Sequence, residues 1–155
     1  MAKKYWLFKS EPGAFSIDDL EQSPGKKTYW DGIRNYQARN FIRDEMRKGD
    51  GVLFYHSNAD PLAVVGHCEI VKEAYPDHTQ FDPDSKYFDP GALQKEPRWF
   101  MVDIKLKEKF NRPVTLKEIK ENPKLKDFRL IQRGNRLSVF PVNKKEWDEI
   151  LKMGR

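Results

Sequence analysis

The alternation of apolar and polar residues predicts a chain built mainly from short strands. The clearest alternation lies between residues 99 and 106, where apolar side chains recur at every second position from Phe100 to Leu106. A period of two is typical of a strand that turns one face to the core. The predicted strands are 5–9, a short strand that ends at Trp30, 50–56, 62–72, 99–106 and 137–142. Turn residues at 57–61 predict that the two flanking strands form a hairpin.

Helices are predicted where capping residues precede a one-sided apolar pattern. The longest runs from its N-cap Asn35 to Gly49, with an apolar stripe on one side and arginines on the other. The stripe comprises Ala38, Phe41, Ile42 and Met46, and the outer face carries Arg39, Arg43 and Arg47. Shorter helices are predicted after the capping-box pairs Ser16/Asp19 and Thr115/Glu118, and a last one after Asn143.

Residues 74–97 form a connection rich in Asp and Pro that is too long for a simple link in a compact domain. Loops of this length are usually functional or disordered, and the aromatic residues Phe81, Tyr87 and Phe88 favour a functional loop. About six strands with about four short helices, neither alternating as βαβ nor all β, predict an α+β fold. The expected architecture is a small mixed β-barrel or half-barrel in a single domain over residues 1–155.

Composition limits the class of protein. The chain has 155 residues, of which 13% are aromatic, so it can bury one core and is not expected to be disordered. No apolar stretch approaches the length of a membrane helix, which predicts a soluble intracellular protein that does not bind membranes. The single cysteine, Cys68, excludes an internal disulfide and a cysteine metal cluster within one chain.

The histidines and the acidic loop residues do not match a metal motif. His56, His67 and His78 are irregularly spaced, and the Asp-rich loop lacks the glycine and terminal Glu of an EF-hand. The glycines at 49–51 precede a predicted strand and not a helix, so they do not form a phosphate-binding loop. We therefore expect no metal and no cofactor.

Positive charge is concentrated in one part of the chain. Residues 105–145 contain thirteen Lys and Arg against four Asp and Glu, so this segment carries +9 while the rest carries −4. Polarised charge of this kind is expected of a protein that binds nucleic acid. A solvated lysine-rich surface explains the lysines equally well. Arg129, Arg133 and Arg136 favour nucleic acid, because a guanidinium can donate two hydrogen bonds to one phosphate.

Five short motifs occur in an order that resembles the EVE domain. They are YWLFKSEP at 5–12, WDGIRNYQARN at 30–40, FYHS at 54–57, PRWF at 97–100 and RLSV at 136–139. The resemblance covers essentially the whole chain and implies a PUA-like barrel, similar in architecture to the YTH domains that bind methylated adenine in RNA. It therefore implies a pocket for a modified nucleobase. In that comparison Trp30 corresponds to one wall of an aromatic cage, and Lys9 and Ser10 correspond to its polar edge.

The chemistry of base recognition selects further candidates around Trp30. A flipped base needs flat stacking surfaces, and base–aromatic stacking contributes roughly 1–3 kcal/mol per base. Trp30 therefore needs a second ring, for which the loop offers Tyr87 or Phe88. The predicted edge contacts are Ser10, Asn35 and Ser57, and the predicted phosphate contacts are Arg34, Arg39, Arg133 and Arg136. An added methyl group is expected to contact Leu7 or Phe54.

Several of these residues also have an ordinary structural explanation. Trp30 could simply belong to the core, as most tryptophans largely do. Trp99 could pack beneath the long loop, and Asn35 could serve only as a helix cap. The sequence leaves these alternatives open.

The leading hypothesis is a non-catalytic module that binds nucleic acid and reads a modified nucleobase. Modified cytosine in DNA is favoured over RNA by family analogy alone. One alternative is a small hydrolase of modified nucleosides, similar to some ASCH proteins, with Lys9 and Glu11 as the adjacent catalytic candidates. Another is a protein-interaction adaptor whose basic segment binds an acidic partner. The chain is expected to be a monomer, cytoplasmic in a prokaryote or nuclear in a eukaryote.

Overall fold

The computed structural model describes residues 3–155, which contain a six-stranded sheet and short helices. The strands are β1 (Tyr5–Ser10), β2 (Lys27–Tyr29), β3 (Gly51–His56), β4 (Ala63–Pro76), β5 (Phe100–Thr115) and β6 (Val139–Val142). The helices are α1 (Ile17–Gln22), α2 (Tyr36–Asn40), α3 (Leu116–Glu121) and α4 (Lys144–Met153). Within residues 3–155, every helix is too short or too polar to span a bilayer.

The sheet is mixed and open. Its strand order is β2-β5-β4-β3-β1-β6, in which β1 and β3 run parallel and all other neighbours run antiparallel. The predicted α+β class is confirmed. The sheet does not close into the expected barrel, however, because β2 and β6 form opposite edges and do not pair with each other in the described part of the chain. Closure needs a continuous ladder, and these edge strands span only three and four residues.

The parallel pair β1 and β3 is buried on both faces and separates two cores. Trp6, Leu7 and Phe8 are all fully buried, as expected for strands covered on both sides. Successive side chains point to opposite faces, so Trp6 and Phe8 enter one core and Leu7 enters the other. The first core also contains Trp30, Phe54, Ile70 and Ile104, and the second core contains Leu53, Phe140, Trp147 and Ile150.

The helix predicted for residues 35–49 is the main departure from the sequence pattern. Asn35 caps it as predicted, but α2 is followed by a π turn over Phe41–Glu45, and the helix ends there. The chain then leaves the helical path because the buried Asp50 carboxylate accepts a hydrogen bond from the Arg47 amide at 2.9 Å. Arg47 therefore lies outside the predicted basic face of the helix.

The other predicted elements are present with shifted ends. Both predicted capping boxes form, at Ser16 with Asp19 and at Thr115 with Glu118. The predicted hairpin is the pair β3 and β4. Strands β4 and β5 are longer than predicted because they pair with each other along most of their length, across several bulges. Residues 74–76 of the predicted loop therefore belong to β4.

The connection between β4 and β5 is held by buried polar side chains. The fully buried Gln80 amide donates to the carbonyls of Asp77 and Trp99 and accepts from the amides of Arg98 and Trp99. The Trp99 indole donates to the Asp89 carboxylate at 2.7 Å. These bonds satisfy backbone groups that the loop would otherwise bury without partners. The loop is thus tightly organised, and Trp99 lies buried beneath it.

Candidate nucleobase site

A cleft of about 690 Å³ opens beside the C-terminal end of β1, and we call it the Trp30 cleft. Its lining includes five of the predicted base contacts and one predicted phosphate contact: Lys9, Ser10, Trp30, Ser57, Tyr87 and Arg136. The volume is typical of small-ligand sites and is sufficient for one nucleobase. Lys9 and Ser10 end β1, while Trp30 follows β2 and Ser57 follows β3, so the sheet brings together distant parts of the chain.

Trp30 belongs both to the first core and to the cleft. Its amide donates to the Val102 carbonyl at 2.8 Å, which continues the pairing of β2 and β5 by one residue. Its ring packs against Phe8 and Phe54, with centroids 5.2 and 5.6 Å away. The residue is 9% exposed, and it lines the cleft. The two sequence interpretations of Trp30, core residue and pocket wall, therefore both describe its position.

Tyr87 lines the cleft from the long loop and packs directly on Gly32. A Cβ atom at Gly32 would lie 2.6 Å from Cζ of Tyr87, so no side chain fits at this position. Gly32 also has φ +82°, a left-handed backbone conformation that favours glycine. This glycine lets the loop ring approach the segment that carries Trp30.

Arg34 fixes the loop. Its Nε donates to the Tyr87 carbonyl, its Nη1 donates to the Ile33 carbonyl and the Asp77 carboxylate, and its Nη2 donates to the Tyr87 carbonyl and the Thr79 hydroxyl. A guanidinium has five N–H donors, and all five are used here. The phosphate contact predicted for Arg34 would therefore require one of these internal hydrogen bonds to be exchanged.

Asp77 is the buried acceptor of this network. Its carboxylate accepts from the Gly32 amide at 2.8 Å and from Arg34 at 3.1 Å, and it caps the turn at Thr79. Burial by itself opposes ionisation, but the hydrogen bonds from Thr79, Gly32 and Arg34 outweigh it, so the pKa of Asp77 is lowered. A charged Asp77 thus ties the Trp30 segment to the loop.

The polar part of the cleft lining combines cations, carboxylates and hydroxyl groups. Burial lowers the pKa of the Lys9 ammonium. Burial first, and then the neighbouring charge of Asp77, raises the pKa of Asp31, which also lines the cleft. The Ser10 hydroxyl donates to the Phe15 carbonyl, so toward the cleft it offers only acceptor lone pairs.

The lining also contains residues that sequence reasoning did not find, among them Phe15, Asp31 and Ile33. Asp31 and Ile33 flank the glycine turn that follows Trp30, and this adjacency is a signal that could have identified them. Phe15 carries no such signal, because only the approach of the segment after β1 places it at the cleft.

Four predicted base contacts lie outside the Trp30 cleft. Phe54 is fully buried against the Trp30 ring. Leu7 lies in the second core, because successive side chains of β1 point to opposite faces of the sheet. Phe88 is 40% exposed on the loop, but it does not line the cleft. Asn35 caps α2 and borders a different cleft. Neither of the two residues predicted to contact a methyl group lines the Trp30 cleft.

A second cleft of about 440 Å³ is lined by three arginines, and we call it the arginine cleft. Its lining joins the turn before β6 to the start of α2: Asn35, Gln37, Arg129, Arg133, Gly134, Asn135, Arg136 and Leu137. Arg136 lines both clefts, so they meet at this residue. Arg39 lies outside it, where its guanidinium stacks over Tyr36 and donates to the Arg98 carbonyl.

Comparison with known proteins assigns the chain to a family. A profile of the EVE domain matches residues 4–153. The chain belongs to the EVE domain family. Mouse thymocyte nuclear protein 1 is 42% identical over 166 aligned residues, which cover 96% of this EVE domain chain and 73% of the mouse protein. The resemblance in the sequence motifs is thereby confirmed.

Solved structures share the fold of this EVE domain over its whole length. A hypothetical protein from Leishmania major has a TM-score of 0.92 and 46% identity, and the match covers 99% of this chain and 95% of that one. The human THYN1 protein, solved in complex with DNA containing 5-methylcytosine, has a TM-score of 0.91 and 40% identity over 98% of each chain. These similarities confirm the PUA-like α+β fold.

Proposed function

We propose that this EVE domain binds DNA that contains 5-methylcytosine and reads the methylated base in the Trp30 cleft without catalysing a reaction. The observation that carries the proposal is the fold shared with the human THYN1 protein, whose structure contains 5-methylcytosine DNA. The identity of 40% over nearly all of both chains supports carrying over the class of ligand. RNA stays the less favoured target, and the monomeric state and cytoplasmic location stay predictions.

The Trp30 cleft provides what a flipped base requires. Trp30 and Tyr87 supply aromatic surface from two segments, and stacking contributes roughly 1–3 kcal/mol per base. Two stacking contacts offset the few kcal/mol that unstacking a base from DNA costs. The methyl group of 5-methylcytosine is apolar, so we assign its contact to Phe15 and Ile33, the apolar side chains that line the cleft.

Polar groups at the cleft suit the edge of a pyrimidine. The Lys9 ammonium can only donate, which matches the ring nitrogen and carbonyl acceptors of cytosine. The Ser57 hydroxyl can donate or accept, and the Ser10 hydroxyl can accept. These three residues keep the edge-binding role predicted from the sequence, now supported by their common position in the lining.

The arginine cleft supports contact with the DNA backbone. Arg133 and Arg136 are exposed, and Arg136 connects this cleft with the Trp30 cleft. Guanidinium groups bind phosphate oxygens through paired hydrogen bonds. We therefore assign the phosphates that flank the flipped base to Arg129, Arg133 and Arg136.

The first test is fluorescence anisotropy with matched oligonucleotides that carry cytosine, 5-methylcytosine, 5-hydroxymethylcytosine or methylated adenine, as single- and double-stranded DNA and RNA. Wild type should prefer 5-methylcytosine in DNA. Tyr87→Ala should lose that preference, because it removes one wall of the cleft from a loop position outside the core. Phe88→Ala is the matched control and should retain the preference, since Phe88 does not line the cleft.

Trp30→Phe and Trp30→Ala extend the test to the other wall. Both variants are checked by thermal unfolding first, because Trp30 packs on Phe8 and Phe54. A folded Trp30→Phe protein should bind 5-methylcytosine DNA more weakly than wild type. Equal, salt-sensitive binding of wild type to every probe would contradict base reading, and absence of binding to every probe would favour a protein-interaction role.

A hydrolytic role makes a different prediction for Lys9. Burial lowers the pKa of this ammonium, which is the property that a nucleophilic lysine needs. Wild type incubated with 5-methyldeoxycytidine should give no product by chromatography. A product that forms with wild type and disappears with Lys9→Ala would overturn the binding-only proposal.

A further inference from the structure

Asp31 is a carboxylate in the Trp30 cleft to which the proposed function assigns no role. It lies between Trp30 and Gly32, it is half-buried, and it lines the cleft. Among residues 3–155 its carboxylate forms no ion pair and no hydrogen bond with another residue, and the one donor near it is its own backbone amide. The neighbouring carboxylate of Asp77, in contrast, already accepts hydrogen bonds from Gly32, Arg34 and Thr79. Asp31 is therefore an acceptor still available to a ligand.

Recognition of the methyl group alone cannot identify 5-methylcytosine. Thymine carries the same methyl group at the same ring position, so an apolar contact from Phe15 or Ile33 would bind both bases. The two bases differ at position 4, where cytosine has an amino donor and thymine has a carbonyl acceptor. A carboxylate accepts a hydrogen bond from the amino group and repels the carbonyl oxygen.

We propose that Asp31 is the specificity-determining residue that accepts a hydrogen bond from the exocyclic amino group of 5-methylcytosine and rejects thymine. This inference rests on the proposed function, since it requires a cytosine in the Trp30 cleft.

The other polar groups of the cleft are less suited to this role. The Lys9 ammonium is a donor and would favour the carbonyl of thymine. Glu11 also lines the cleft, but it is exposed, so water competes for its carboxylate. Asp31 is half-buried, and a hydrogen bond to a charged group is stronger where solvent is partly excluded. Burial, followed by the Asp77 charge, raises the pKa of Asp31, and the opposing effects of its own backbone amide, His78 and Arg34 do not offset this rise.

The test uses four single-stranded DNA probes that differ in one central base: cytosine, 5-methylcytosine, uracil or thymine. Wild type should bind 5-methylcytosine about tenfold or more tightly than thymine, in line with the discrimination of a base-edge contact. Asp31→Asn should reduce this ratio to about twofold, because a carboxamide can turn either its oxygen or its NH₂ group toward the base. Glu11→Gln is the matched control in the same cleft and should keep the wild-type ratio.

A fifth probe tests the contact from the side of the ligand. It carries 5-methylpyrimidin-2-one, which has the methyl group but only hydrogen at position 4. Wild type should bind this probe about tenfold more weakly than 5-methylcytosine. The difference should be smaller for Asp31→Asn, because its carboxamide oxygen is an uncharged and weaker acceptor. This comparison within the wild type stays informative even where a variant folds poorly.

The probes separate failure of this inference from failure of the proposed function. The effect of the methyl group on affinity is measured within two pairs of probes, 5-methylcytosine against cytosine and thymine against uracil. Absence of this effect would contradict the proposed function. A methyl effect with equal binding of 5-methylcytosine and thymine by wild type would overturn the role of Asp31. Full discrimination by folded Asp31→Asn, or its loss in Glu11→Gln alone, would overturn it as well.

Discussion

The two faces of the sheet bury similar side chains, but they differ in what covers them. Trp30 in the first core is 9% exposed and Trp147 in the second core is 7% exposed. On each face an aromatic ring fills the space above a glycine: Tyr87 lies over Gly32, and Trp147 lies over Gly51. The second core is covered by the ten-residue helix α4, whereas at Trp30 the cover is a loop. Burial alone therefore does not show whether an aromatic residue lines a cleft. What decides this is the element that packs over it, which is a loop at Trp30 and the helix α4 in the second core.

The buried acids of the two faces show the same contrast. Asp77 is surrounded by donors, and its pKa is lowered. Glu146 in α4 is buried with fewer donors, and burial first raises its pKa despite the hydrogen bond from the Asn143 amide. The loop over the first core is thus held by a charged network, while the second core depends on packing and on an ordinary helix cap.

Trp147→Ala should have the largest effect on stability and none on recognition. Removing a large buried ring costs about 3–5 kcal/mol in the free energy of unfolding. Urea denaturation measures this loss, and anisotropy at a temperature where the variant is folded should give the wild-type ratio of 5-methylcytosine to cytosine binding. A folded variant without that preference would show that the second core contributes to base reading.

Asp77→Asn should have the next largest effect, about 2–3 kcal/mol of stability at neutral pH, because several hydrogen bonds to a charged acceptor are weakened. The folded-state pKa of Asp77 lies below its ordinary value of 3.8. The contribution of ionised Asp77 to the free energy of unfolding is therefore complete above that value and is lost as the pH falls through the lowered pKa.

Urea denaturation of wild type and Asp77→Asn at pH values from neutral to acid checks this sign. The difference in stability should narrow once the pH falls below 3.8, the ordinary pKa of the group. Asp82→Asn, an exposed substitution in the same loop, should change stability by less than about 0.5 kcal/mol. A difference between wild type and Asp77→Asn that is equal at all pH values would show that the charge of Asp77 contributes nothing.

Arg133→Gln and Arg136→Gln should have the smallest effect on stability, within about 0.5 kcal/mol, because both side chains are exposed. Each should weaken binding to all DNA probes alike and reduce the dependence of log affinity on log salt by about one unit. Anisotropy titrations at several salt concentrations measure this slope. Lys117→Gln, exposed on α3, is the charge-matched control, and an equal change of slope there would assign the effect to overall charge.

Local sequence determined the elements whose hydrogen bonds close within a few residues. The capping boxes at Ser16 and Thr115 and the cap at Asn143 form as predicted, because donor and acceptor lie within three positions of each other. The alternation in β5 was equally visible, since a strand repeats every two residues. The ordered motifs also identified the family without any structure.

Tertiary contacts decided what local patterns do not contain. The helix after Asn35 stops early because Asp50 binds the Arg47 amide, and Asp50 is placed by the sheet. Arg34 has the composition of a phosphate ligand, but Asp77 and the Tyr87 carbonyl, more than forty positions away, use its donors.

The candidate site shows the same division between sequence and fold. The family resemblance selected Trp30 and Lys9, whose aromatic ring and donor supply the stacking and hydrogen bonding that base recognition requires. Tertiary structure placed Asp31 in the cleft, because the turn after Trp30 packs against the loop. It also kept Leu7 out of the cleft, because this side of β1 faces the second core. Sequence thus determined the available chemistry, whereas the long-range packing of β1, β2 and the loop decided which of those groups share one cleft.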